Sequence, residues 1–110
     1  MPEITQQRME QSLNYLVSTD DDCAHARSFL EGLKEKKKTI LALEFLKAKG
    51  TGQERDAKAH SSETFTDWQE QLEEAVYKYE TMRNKRITET LVVECWRSLN
   101  SNRRQAGGNI

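Results

Sequence analysis

The chain has 110 residues, 35% of them hydrophobic and 32% charged, with a formal net charge of −1. One domain is the starting expectation at this length, and so thin an apolar supply excludes a broad core around a deep pocket; it suits helices that each bury one stripe. Near-neutral charge excludes a polycation, and no apolar run is long enough to span a bilayer.

The sole proline is Pro2, so long stretches contain nothing that breaks a helix. Residues 3–17 read as a short amphipathic helix, with Ile4, Met9, Leu13, Leu16 and Val17 at helical spacing. The stretch STDDD, 18–22, reads as a boundary. Ser18 or Thr19 is a candidate N-cap, and Asp20, Asp21 and Asp22 suit the positive end of a helix dipole. A second helix is expected over about 20–49, its stripe running through Ala26, Leu30, Leu33, Lys37, Ile40, Leu41 and Phe45. Gly32 weakens it by roughly 1 kcal/mol relative to alanine. KAKG, 47–50, is a stop signal, with cations in the last turn and glycine after it.

TGQE, 51–54, has the spacing of a capping box and opens a short helix over about 52–59. The last helix, about 62–102, carries the clearest pattern. Phe65, Trp68, Leu72, Ala75, Tyr79, Met82, Arg86, Glu89, Val93 and Trp96 alternate steps of three and four, the signature of a heptad seam. Val76, Ile87, Leu91, Val92 and Leu99 are expected to widen it. Residues 105–110 read as a flexible tail. The fold class that follows is all-α: an elongated, coiled-coil-like antiparallel hairpin with the short N-terminal helix packed on it, residues near 26 lying beside residues near 86. A two-helix hairpin buries little, so a homo-oligomer is expected, a dimer first.

Charge is unevenly placed. Residues 63–80 hold six acidic groups and one lysine; residues 83–104 hold six basic groups and two acidic ones. Three basic clusters stand out: Lys36 and Lys38 within KEKKK, Arg83 and Lys85 within RNKR, and Arg97, Arg103 and Arg104 at the end of the last helix. Clustered cations release counterions from a phosphate chain on binding, and Trp96 could stack on a base. The bland alternative is a solvated charged face, with Trp96 in the seam and the last arginines favoured by the helix dipole alone. Within the stripes, Lys37, Arg86 and Glu89 are polar interruptions. Either they form a buried ion pair that sets register, or their heads reach water.

Catalysis finds no support: there is no glycine-rich phosphate loop, nucleophile elbow or HExxH. No cofactor or metal is expected. Cys23 and His25, two apart on a helix, point about 200° apart, and zinc ligands normally come closely spaced from loops. A Cys23–Cys95 disulfide is geometrically open, but polar N-terminal residues without an export signal suggest a reducing cytoplasm.

Tyr15-Leu16, Phe45-Leu46, Gly50-Thr51, Glu54-Arg55, Ala57, then Glu94, Trp96-Arg97-Ser98 and Asn102-Arg103-Arg104 form a pattern over about 13–104. It resembles small helical proteins of tailed bacteriophages encoded near early recombination genes. The resemblance implies an early phage protein in the host cytoplasm and transfers no catalytic residue. The expected function is therefore non-enzymatic: an accessory of phage DNA recombination or replication that binds single-stranded DNA or a DNA-bound protein. The alternative is an inhibitor or adaptor that docks on a host enzyme through the acidic face of residues 63–80.

Overall fold

The computed structural model describes residues 3–108. Among them there are four α-helices and no strand: α1 (Gln6–Glu35), α2 (Lys37–Lys47), α3 (Gly52–His60) and α4 (Glu63–Gly108). The chain divides into two compact units. One comprises residues up to Cys23 together with those from Thr81 onward; the other is Ala24–Glu80.

α1 starts later and runs further than the sequence suggests. Thr5 is its cap, its hydroxyl accepting from the Arg8 N–H at 3.1 Å. The expected boundary at 18–22 does not exist. Ser18 and Thr19 donate their hydroxyls back to the Tyr15 carbonyl, at 3.1 and 2.7 Å, and so stay inside the helix. The break falls instead at Lys36, where the Lys36 N–H turns to the Leu33 carbonyl at 3.2 Å. Lys34 and Lys38, four apart and of like charge, oppose one continuous helix there. The expected 20–49 helix is thus the second half of α1 plus the separate α2.

KAKG does end α2, with Ala48 extended and Gly50 at φ 122°. A Cβ at Gly50 would also collide with the Glu54 carboxylate. Thr51 caps α3 by accepting from the Glu54 N–H at 3.2 Å, and Ser62 caps α4 by accepting from the Phe65 N–H at 3.2 Å. α4 continues past residue 102, so 105–108 belong to it rather than to a loose tail; residues 109 and 110 lie outside the described residues.

Within the unit Ala24–Glu80, Leu30 and Leu33 of α1 pack with Phe65, Trp68 and Ala75 of α4, flanked by Ile40, Leu41, Leu72 and Tyr79. The Trp68 Nε1–H donates to the Leu33 carbonyl at 2.8 Å, so the indole fills the core with its one polar atom satisfied. Phe65 stacks on Trp68 with ring centroids 5.4 Å apart. α3 is tied to α2 by Arg55, which donates to the Phe45 carbonyl and lies 4.3 Å from that ring's centroid.

In the other unit, α1 and α4 run antiparallel. Glu3 meets Arg103, Arg8 and Ser12 meet Glu89, and Leu16, Thr19 and Asp20 meet Arg86. Arg86 therefore lies beside residues 16–20, not near residue 26. The expected pairing omitted the α2–α3 excursion, which moves the register of α1 on α4.

Candidate interaction surface

Each seam position read on α4 from Phe65 to Trp96 is buried or half-buried. The facing stripe of α1 is Met9, Ser12, Leu16, Thr19, Cys23, Ala26, Leu30 and Leu33, again in steps of three and four and none of them exposed. Leu13 and Val17, expected in the stripe, are 38% and 80% exposed. Three small polar side chains, Ser12, Thr19 and Cys23, take the inward positions instead. Ser12 and Thr19 meet polar partners that α4 presents at the same level.

Glu89 is one such partner and is buried. It accepts two bonds from the Arg8 guanidinium, at 2.7 and 3.1 Å, and one from the Ser12 hydroxyl. The hydrogen bond from Arg8, then that from Ser12, holds its carboxyl below the usual glutamate range against the opposing effect of burial. Arg86 is the other. It donates to the Leu16 carbonyl at 2.8 Å and the Thr19 hydroxyl at 2.7 Å, and reaches Asp20 at 3.1 Å. Lys37 shares nothing with this layer: it is exposed and opens α2, where the break at Lys36 resets the helical phase. Arg8 was not singled out from the sequence. A carboxylate on the seam signals that a cation must face it, yet the apparent boundary at 18–22 hid which segment would supply one.

The basic candidates divide between the two units. Lys36 and Lys38 belong to the unit Ala24–Glu80 and are exposed. Lys85 lies over the Tyr15 ring, its Nζ 4.5 Å from the centroid. Arg103 pairs with Glu3. Arg97 and Arg104 are exposed and have no ionic partner among the described residues. Trp96, next to Arg97, is half-buried.

The chain finds no significant match among protein-family models, curated proteins or solved structures.

Val76, Ile87, Leu91 and Leu99 do not widen the buried seam; they are between 37% and 53% exposed. Ile87 and Leu91 line a groove of about 400 Å³ with Thr90, between Arg83 at one end and Glu94 at the other, where Cys23 and Arg86 form the wall. Cys23 is half-buried, Cys95 is exposed, and both are free thiols. Among the described residues no group of three or more His, Cys, Asp or Glu side chains is placed to hold a metal ion, and no helix is long and apolar enough to cross a membrane.

Proposed function

We propose that this chain is a non-enzymatic accessory protein of phage DNA recombination or replication, working in the host cytoplasm by binding single-stranded DNA or a DNA-bound protein. The observation that carries this reading is the state of the last arginines. Arg8, Arg86 and Arg103 are each engaged by a carboxylate. Arg97 and Arg104 are exposed without an ionic partner among the described residues. Such guanidiniums are open to phosphates, and each phosphate neutralised releases counterions. The half-buried Trp96 next to Arg97 adds a ring that can stack on a base. The phage setting comes from the sequence pattern ending in WRSLNSNRR.

Self-association as a dimer belongs to the same reading. Among the described residues of the unit that carries these arginines, Met9 and Val93 are the only buried hydrophobic side chains. A pair of helices with so little inside gains from a further layer.

Fluorescence anisotropy of a labelled single-stranded oligonucleotide tests the reading. Arg97→Gln with Arg104→Gln is expected to weaken binding by roughly tenfold or more at low salt. Unchanged affinity would dismiss DNA contact at this end of α4.

A second reading rests on the other unit. Glu63, Asp67, Glu70, Glu73 and Glu74 are all exposed there, together with Tyr77 at 75%. An anionic face with an aromatic anchor suits docking on a host enzyme that normally holds a phosphate chain. Nuclease-resistant recovery of one stoichiometric host enzyme from a lysate would favour this reading over the first.

A further inference from the structure

One flank of α4, beside its seam with α1, has an order of its own. Arg83, Ile87, Leu91 and Glu94 follow spacings of four, four and three, so they form one strip on the helix. The strip has a cation at one end, an anion at the other and apolar side chains between, 45% exposed at Ile87 and 53% at Leu91. All four line the same groove.

We infer that this strip is a self-complementary interface on which a second copy of the chain packs, the two α4 helices antiparallel about a two-fold axis near residues 88–89. In that register Arg83 of each copy faces Glu94 of the other, and Ile87 faces Leu91. An isologous contact requires that each residue and its opposite swap roles under the two-fold. The strip meets that condition at both its charged and its apolar positions. A like-charged strip, or one with a single charged end, would not. Arg83 is already engaged within its own chain; a guanidinium has five donors and can serve both partners.

The inference rests on the proposed dimer and gives it a face. From Arg83 to Glu94 the strip is about 17 Å long at 1.5 Å per residue. It is too small alone for a stable interface, which needs on the order of 800 Å² from each partner. α1 extends it. Leu13 and Val17 fall in one row with Asp20, and Asp20 is bonded to Arg86 on the groove wall. Val17 is 80% exposed. Closure by a second copy makes a four-helix bundle with two helices from each chain, and it covers the apolar side chains that one copy leaves in water. The charged pairs set direction and register, while the apolar centre holds the contact.

Sedimentation equilibrium of the full chain and its variants tests this. The unaltered chain is expected at twice the chain mass at micromolar concentration. Arg83→Glu alone sets two carboxylates against each other at both ends of the strip, and is expected to raise the dimer dissociation constant about tenfold. Glu94→Arg alone should do the same with two cations. The double charge swap should bring the constant back to within about threefold of the original, and circular dichroism of each single variant checks that it folds. Leu91→Asp should give a monomer. A monomeric unaltered chain at about 100 μM would sink both the dimer and this face. A dimer indifferent to either single swap, or not restored by the double one, would leave self-association standing and overturn this interface.

Discussion

Arg8 and Glu89, 81 residues apart in the chain, form a two-pronged ion pair at 2.7 and 3.1 Å that pins the start of α1 to α4. The carboxylate is buried, whereas the guanidinium side chain is 42% exposed. The pair therefore stands at the edge of the seam. Ser12, with no exposed surface, fills the space beneath it and adds a third bond. Taking Glu89 away should remove more than it relieves. Glu89→Ala is expected to cost about 1–2 kcal/mol, below the range for a fully buried pair because Arg8 keeps access to water. Chemical denaturation would show it as a lower midpoint with an unchanged slope.

The same carboxylate makes stability depend on acid. Its folded pKa lies below the ordinary glutamate range, first because of Arg8 and then Ser12. The unfolded chain therefore takes up that proton at a higher pH than the folded one. The contribution is complete above about pH 4.3, the ordinary glutamate value, and is lost as pH falls through the folded value. Melting temperatures of the chain and of Glu89→Gln should accordingly converge as pH is lowered below about 4.3. A constant gap between them down to the acid transition would contradict the pairing.

In the unit Ala24–Glu80 the sensitive point is Trp68. Its ring joins the cluster of Leu30, Leu33 and Phe65, and its N–H reaches the Leu33 carbonyl. Trp68→Ala is expected to cost about 3–5 kcal/mol. Trp68→Phe keeps most of the packing and should cost about 1 kcal/mol through the lost hydrogen bond. Thermal unfolding of the two variants should separate them clearly.

Gly50 supplies a backbone test. At φ 122° alanine is strained by the backbone itself, while the Glu54 carboxylate near the Cβ position can swing aside. Gly50→Ala should destabilise by about 1–2 kcal/mol, opposite in sign to the usual gain from removing a flexible glycine. Equilibrium denaturation of that variant reads the sign directly.

The seam of α4 was legible in the sequence because its inward positions are mostly apolar and large. The seam of α1 was not, and the reason is physical. Ser12 and Thr19 sit inward and bond Glu89 and Arg86, so a search for apolar periodicity picks the wrong neighbours, Leu13 and Val17. STDDD has the composition of a helix start, yet Ser18 and Thr19 satisfy their hydroxyls on the Tyr15 carbonyl and the helix passes through. Local stop and start signals succeeded where backbone geometry decides, at Gly50 and Thr51. They failed at STDDD, where the hydroxyls bond the preceding turn instead of capping a new one. The exposed arginines were visible as a cluster, but only the fold distinguishes Arg103, held by Glu3, from Arg97 and Arg104.

The most direct test of the proposed function is the salt dependence of single-stranded DNA binding. The logarithm of affinity should fall linearly with the logarithm of salt concentration. Neutralising Arg97 and Arg104 together should make that slope shallower by about 1.4, which is roughly 0.7 for each phosphate contact on a single strand. A slope identical in the two proteins, or no binding even at low salt, would contradict the assignment of this end of α4 to nucleic acid.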